Sequence, residues 1–124
     1  MEKRLYLIKQ KGKFGYINNE GEILIEPQFS EGEDFIEDTA VVAIDGKFGV
    51  INSSGNFIIE PHFHWIGEEF QGLRIFRMDN KKGFIDLRGN IVVEAKYNVV
   101  NNFVEDLALV QLNYKWGYIN KSGE

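Results

Sequence analysis

The stretch Lys47-Phe48-Gly49-Val50-Ile51-Asn52 decides the fold, because closely similar stretches recur along the chain at a fixed distance. The other copies occupy residues 13–18, 81–86 and 115–120, each displaced by 34 residues from the next. A fixed period of this length indicates one supersecondary unit that is repeated in tandem and buries apolar surface against its neighbours. The chain is therefore predicted to be a tandem-repeat protein.

Each repeat contains three short apolar segments, which are separated by two turn signals. In the second repeat these segments are residues 40–44, 48–51 and 56–60. Asp45-Gly46 favours a type I′ hairpin turn, Asn52–Gly55 a second turn, and Pro61 is expected to stop the third strand because it cannot donate to a ladder. Clustered β-branched residues and two glycines per unit argue against helical hairpins of the same period.

These patterns predict an all-β fold of tandem three-stranded antiparallel meanders, joined by connections of roughly nine to eleven residues. We expect an open or superhelical array, with a propeller-like closed ring as the alternative. The period divides a single domain, residues 1–124, into full repeats and partial units. The full repeats are residues 12–45, 46–79 and 80–113, and the partial units are residues 1–11 and 114–124. The last unit stops at the turn, so strand 116–120 is a predicted open edge for homo-oligomerisation.

The composition excludes several classes of function. There is no cysteine, so disulfides and thiolate sites are excluded, and no apolar run is long enough to span a bilayer. The net charge is −5, and residues 12–45 alone carry one lysine against nine acidic side chains, a balance of −8. Binding to a nucleic acid duplex is not expected, since it requires a basic stripe. We predict a cytoplasmic protein without membrane association.

The copy at Lys115–Gly123 resembles the WG (KWG) repeat, which is found in many bacterial proteins. Glu26–Phe29 and Glu60–Phe63 are similar to the segment that follows in that repeat. The present chain keeps the tryptophan only at Trp116, and Lys82 replaces the aromatic residue in the third copy. The resemblance covers nearly the whole chain. It implies a β-rich array for interaction, and it implies no catalytic residue.

The residues that depart from the repeat pattern are the candidates for binding. Arg74 and Arg77 occupy positions where the sister repeats have alanine or glutamine, and such a pair could bind a phosphate or carboxylate. Trp65 lies in the second connection, where an exposed tryptophan would anchor a protein partner or stack on a sugar. Lys82 adds a further cation in the third copy.

Two further groups of side chains are candidates for binding, one acidic and one of histidines. Glu33 and Asp34 lie in the acidic connection 31–38, which lacks the ligand pattern of a calcium loop and is interpreted as a solvated face that attracts a basic partner. His62 and His64 are two residues apart and could face the same side of an extended segment. Because no third ligand accompanies them, no metal site is predicted and the pair is kept only as a candidate.

Together these features predict a non-enzymatic repeat scaffold that binds a protein partner. The alternative is a binder of a small anionic ligand, such as a nucleotide or sugar phosphate, or of a glycan. No catalytic triad, carboxylate pair or phosphate-binding loop is present in the pattern, so we expect no enzyme activity and no cofactor. The departures from the repeat therefore carry the functional hypothesis.

Overall fold

The computed structural model describes residues 4–124, which form fourteen strands and no helix. The strands are β1 (Tyr6–Gln10), β2 (Lys13–Ile17), β3 (Ile23–Phe29), β4 (Glu31–Gly32), β5 (Thr39–Ile44), β6 (Lys47–Asn52), β7 (Phe57–Phe63), β8 (Trp65–Phe70), β9 (Leu73–Met78), β10 (Lys81–Asp86), β11 (Ile91–Tyr97), β12 (Val99–Val100), β13 (Ala108–Leu112) and β14 (Lys115–Ile119). The predicted all-β tandem-repeat fold is confirmed. Within the described range, no helix has the length and apolar character needed to cross a lipid bilayer.

The strands form four antiparallel sheets, which we name A to D in chain order. Their strand orders are β1-β2-β3 in sheet A, β4-β5-β6-β7 in sheet B, β11-β10-β9-β8 in sheet C and β12-β13-β14 in sheet D. The predicted meander is present, and sheets B, C and D each contain one further strand, β4, β8 or β12, which lies in the connection that precedes the meander. That strand turns into the next one through a tight turn with positive φ at Glu37, Gln71 or Glu105.

The third strand of the meander does not stop at its proline, contrary to the prediction. β3 runs through Pro27 to Phe29, and its register with β2 shifts between Phe14 and Tyr16. The proline lies on an edge strand and within this irregularity, so no regular ladder bond requires its missing N–H. The backbone of Pro27 passes directly over Gly15, where an added Cβ would lie 2.6 Å from the proline nitrogen. Glycine is required at this position because the backbone of the third strand passes close to it, and not because a neighbouring aromatic ring covers it.

A side-chain acceptor closes the turn that follows the second strand of each meander. Asn52 Oδ1 accepts hydrogen bonds from the backbone N–H groups of Ser54 and Asn56, both at 3.0 Å. Equivalent bonds are made by Asn18, Asp86 and Asn120. Hydrogen bonding from the Asn90 N–H to Asp86 lowers the pKa of that carboxyl below its usual value. The predicted turn is therefore confirmed in all four copies.

The described residues fall into two compact units that divide between His62 and Phe63. The core of the first unit contains Leu5, Tyr16, Ile25, Phe29, Ala40, Val42 and Ile51. The core of the second contains Leu73, Phe84, Val93, Tyr97, Val100, Phe103, Ala108, Val110 and Ile119. The predicted boundaries of the individual repeats stay a prediction, and the partial unit 1–11 includes residues 1–3, which lie outside the described residues.

Candidate binding surface

Three of the predicted binding residues lie side by side across sheet C. Trp65 on β8 is the cross-strand partner of Arg77 on β9, and Arg77 is in turn the partner of Lys82 on β10. Direct partners in an antiparallel pair have their side chains on the same face, with Cβ atoms about 5 Å apart. We call Trp65, Arg77 and Lys82 the binding row. Residues that the sequence presented as separate departures thus form one continuous feature.

Two members of the binding row, Arg77 and Trp65, are oriented by their surroundings. The Arg77 guanidinium donates to the backbone oxygens of His64, at 3.3 Å, and Asp79, at 3.4 Å. The Trp65 ring lies over Gly67, where an added Cβ would be 2.8 Å from its Cη2 atom. Trp65 remains 38% exposed, and Arg77 is half-buried. The row therefore presents an aromatic ring and a positioned cation to solvent.

The same row in sheet A has a different composition. There Lys9 on β1 pairs with Phe14 on β2, and the Lys9 Nζ lies 5.2 Å from the centroid of the Phe14 ring. In sheet C the position of Phe14 is taken by Lys82, while Trp65 supplies an aromatic ring on the other side of the central cation. In sheet C the aromatic residue of the row therefore lies on β8 instead of β10, and β10 carries a second positive charge at the position that corresponds to Phe14.

Arg74 does not share this surface, which corrects the expectation that Arg74 and Arg77 act together. Side chains alternate between the two faces of a strand, so residues three apart on β9 point in opposite directions. Arg74 is only 6% exposed, and its Nη1 atom donates to the backbone oxygen of Gly67 at 2.8 Å. The guanidinium therefore lies within the protein, with one donor committed to the bulged segment of β8.

The two histidines do not provide a set of metal ligands. His62 is exposed at the end of β7, and His64 lies between β7 and β8. The Nδ1 atom of His64 accepts a hydrogen bond from the backbone N–H of Asp79 at 2.7 Å, so this nitrogen is already engaged. Within residues 4–124, no group of three or more histidine, cysteine or acidic side chains could hold a metal ion.

The acidic residues Glu33 and Asp34 belong to the first unit, whereas the binding row belongs to the second. Both are exposed, and the backbone oxygen of Glu33 accepts a hydrogen bond from the buried hydroxyl of Tyr16. A nearby cleft of about 470 Å³ continues this acidic region, and its lining residues are Arg4, Leu5, Tyr6, Asn19, Phe35, Glu37 and Asp38. The acidic connection thus follows β4 of sheet B, whereas the binding row lies in sheet C.

Sequence reasoning missed a group of exposed aromatic residues at the last hairpin. Tyr114, Trp116 and Tyr118 are 92%, 56% and 67% exposed. Tyr114 has a φ of 67°, a left-handed conformation that is costly for a residue with a side chain. The signal was available, because the equivalent turn position is Gly12 in the first copy and Gly46 in the second.

Comparisons with known proteins identify the repeat and go no further. The family described as WG containing repeat matches residues 14–48, 48–81 and 83–116. These three matches together cover more than half of the chain, and they follow the period of 34 residues. The chain matches no curated protein and no solved structure at a significant level.

Proposed function

Because the chain belongs to the family of the WG containing repeat, we propose that it is a non-enzymatic scaffold that binds a protein partner through the binding row. The observation that carries the proposal is the alignment of Trp65, Arg77 and Lys82 across three adjacent strands. Trp65 and Lys82 have no counterpart of the same kind in the sister copies, so maintenance of the repeat fold does not account for them, while the sister copies have Lys9, Ala43 and Gln111 at the position of Arg77. Tryptophan and arginine are also the residues that most often dominate binding energy at interfaces.

The chemistry of the binding row favours an acidic partner segment that also carries an apolar side chain. Two adjacent cations attract a carboxylate, and the Arg77 guanidinium retains donors beyond the two that contact backbone oxygens. The indole of Trp65 offers an apolar surface beside them. β8 is an edge strand of sheet C, and edge strands are the ones to which an extended segment can add.

Selection from a displayed peptide library tests the proposal. The full chain is the bait, and peptides that bind Trp65→Ala/Arg77→Ala are removed by counter-selection. We expect enriched peptides with acidic and aromatic residues, whose affinity by calorimetry falls at least about tenfold in the double variant, as for an interface hot spot. Arg88→Ala is the matched control, because Arg88 is exposed on the β10–β11 turn of the same sheet. Failure to enrich any peptide, or equal affinity for both proteins, contradicts the proposal.

A small anionic ligand is the second candidate function, and the adjacency of Arg77 and Lys82 supports it. Arg74 is not part of this candidate site, since it lies on the opposite face of β9. Thermal unfolding in the presence of ATP, glucose 6-phosphate or inorganic phosphate distinguishes the two candidates. A ligand site predicts a melting temperature that rises with anion concentration and no longer rises in Arg77→Ala/Lys82→Ala. No rise with any of these anions excludes this candidate and leaves peptide binding unaffected.

A further inference from the structure

In the first unit, sheets A and B pack against each other through opposite kinds of face. We call the face of sheet A that carries Leu5 and Tyr16 its back face, and the face of sheet B that carries Ala40, Val42 and Ile51 its front face. These five side chains form one buried cluster, and none is more than 8% exposed. Equivalent positions in the other sheets define their front and back faces.

The second unit repeats this contact between sheets C and D. The back face of sheet C contributes Leu73 and Phe84, and the front face of sheet D contributes Ala108, Val110 and Ile119. The strands that approach each other are also equivalent, since β3 lies near β5 in the first unit and β11 lies near β13 in the second. The same back-to-front packing therefore occurs twice, independently, within one chain.

The back face of sheet D has the residues for this contact but is exposed. Leu107 and Tyr118 occupy the positions of Leu73 and Phe84, and they are 50% and 67% exposed, compared with 9% and 1%. Trp116, beside Tyr118 on the same face of β14, is 56% exposed. Several large apolar side chains on one face of a sheet are characteristic of an interaction surface.

The front face of sheet A is exposed in the same way. Its cross-strand pair Tyr6–Ile17 corresponds to the pair Ala40–Ile51 in sheet B. Tyr6 is 42% exposed and Ile17 is half-buried, whereas Ala40 and Ile51 are 2% and 0% exposed. The chain thus carries both halves of a contact that it makes internally, and both halves are accessible to solvent.

We propose that the front face of sheet A in one copy of the chain packs against the back face of sheet D in a second copy. The paired positions fit this arrangement. Tyr6 and Ile17 stand where Ala40 and Ile51 meet the back face of the preceding sheet, and Leu107 and Tyr118 stand where Leu5 and Tyr16 form that face.

This contact joins two different surfaces, so each copy retains one free front face and one free back face for further copies. Pairing through the open edge of β14, which the sequence predicted, would instead join identical surfaces. The two modes differ in their response to substitution. A change on one face alone blocks a head-to-tail contact in a pure sample, but a mixture of two differently blocked chains can still form one contact.

Sedimentation velocity of the full chain over about 1 to 500 μM, a range that covers weak affinities, tests the inference. We expect dimers and larger species for the natural chain, and at least about tenfold weaker association for Tyr6→Glu and for Tyr118→Glu. An equimolar mixture of these two variants should form a species of two chains and nothing larger. Tyr114→Glu is the matched control, because Tyr114 is exposed at the turn rather than on the back face, and it should associate as the natural chain does.

Both variants replace exposed side chains, and circular dichroism checks that they remain folded. A natural chain that stays monomeric throughout the concentration series overturns the inference. So does undiminished association of Tyr6→Glu or Tyr118→Glu, or a mixture of the two that remains monomeric. The inference is independent of the binding row, since none of these substitutions lies in it, and peptide binding can succeed or fail separately.

Discussion

Strands β2 and β14 have nearly the same sequence, yet their environments are opposite. Tyr16 in β2 is 0% exposed, whereas its counterpart Tyr118 in β14 is 67% exposed. The Tyr16 and Phe35 rings form a T-shaped pair with centroids 4.8 Å apart, and burial raises the pKa of the Tyr16 hydroxyl far above the usual value. The difference shows that the repeat stretch does not bury itself. Its burial depends on a third strand beside it and on a following sheet against its back face.

Substitution of Tyr16 and of Tyr118 should produce the largest difference in the free energy of unfolding. Tyr16→Ala removes a fully buried aromatic ring and should lower the free energy of unfolding by about 3 to 5 kcal/mol. Tyr118→Ala should change it by no more than about 0.5 kcal/mol, because the ring is mainly in solvent. Urea unfolding at low protein concentration, where association is minimal, measures both values. Similar losses in the two variants would show that Tyr118 is packed in solution.

The paired glycines should give effects of opposite sign. In Gly15→Ala the new Cβ would lie 2.6 Å from both the Ile25 oxygen and the Pro27 nitrogen, so we expect a loss of about 1 to 3 kcal/mol. In Gly117→Ala nothing lies within 4 Å of the new atom, and the lower entropy of the unfolded chain should add up to about 1 kcal/mol. Chemical denaturation of both variants provides the comparison. A loss in Gly117→Ala would imply a neighbouring backbone over β14.

Substitutions in the turns β1–β2 and β13–β14 should have the smallest effect on the free energy of unfolding. Tyr114→Gly relieves a left-handed conformation at a non-glycine residue and should raise the free energy of unfolding by about 1 kcal/mol. Gly12→Ala makes the reverse change at the equivalent turn of sheet A, where φ is 80°, and should lower stability by a similar amount. Thermal unfolding of the two variants is sufficient. A Tyr114→Gly variant that is less stable would mean that the tyrosine ring makes a stabilising contact.

The sequence was sufficient to predict the meander, because turn chemistry and the period of 34 residues act locally. Asp45-Gly46 adopts the expected positive φ values of 51° and 81°, and the turn closed by an asparagine or, in the third copy, by Asp86 is present in every copy. The fourth strand was missed in sheets B and D because the turns Glu37-Asp38 and Glu105-Asp106 contain no glycine, whereas the equivalent turn in sheet C is Gln71-Gly72. The continuation of β3 through Pro27 was missed because the register irregularity is a property of two strands together.

The binding row could be predicted only in part. Comparison of the copies identified Trp65, Arg77 and Lys82 individually, but not their alignment. That alignment depends on the register of β8 against β9, which shifts between Ile66 and Glu69. The grouping of Arg74 with Arg77 failed for a simpler reason, since the alternation of a strand separates them once β9 is known. Comparison of the copies therefore shows which residues are unusual, whereas the pairing of the strands is needed to know which of them are neighbours.

The close passage of the third strand over Gly15, Gly49 and Gly83 has a consequence for how such chains evolve. At these points the atoms that approach the glycine belong to the backbone of the third strand. The second strand therefore requires glycine there, whereas the close approach does not require a particular side chain on the third strand. Side chains of the third strand at these points can therefore vary without a matching change at the glycine, whereas the buried Ile25 and Phe29 of the same strand pack in the core.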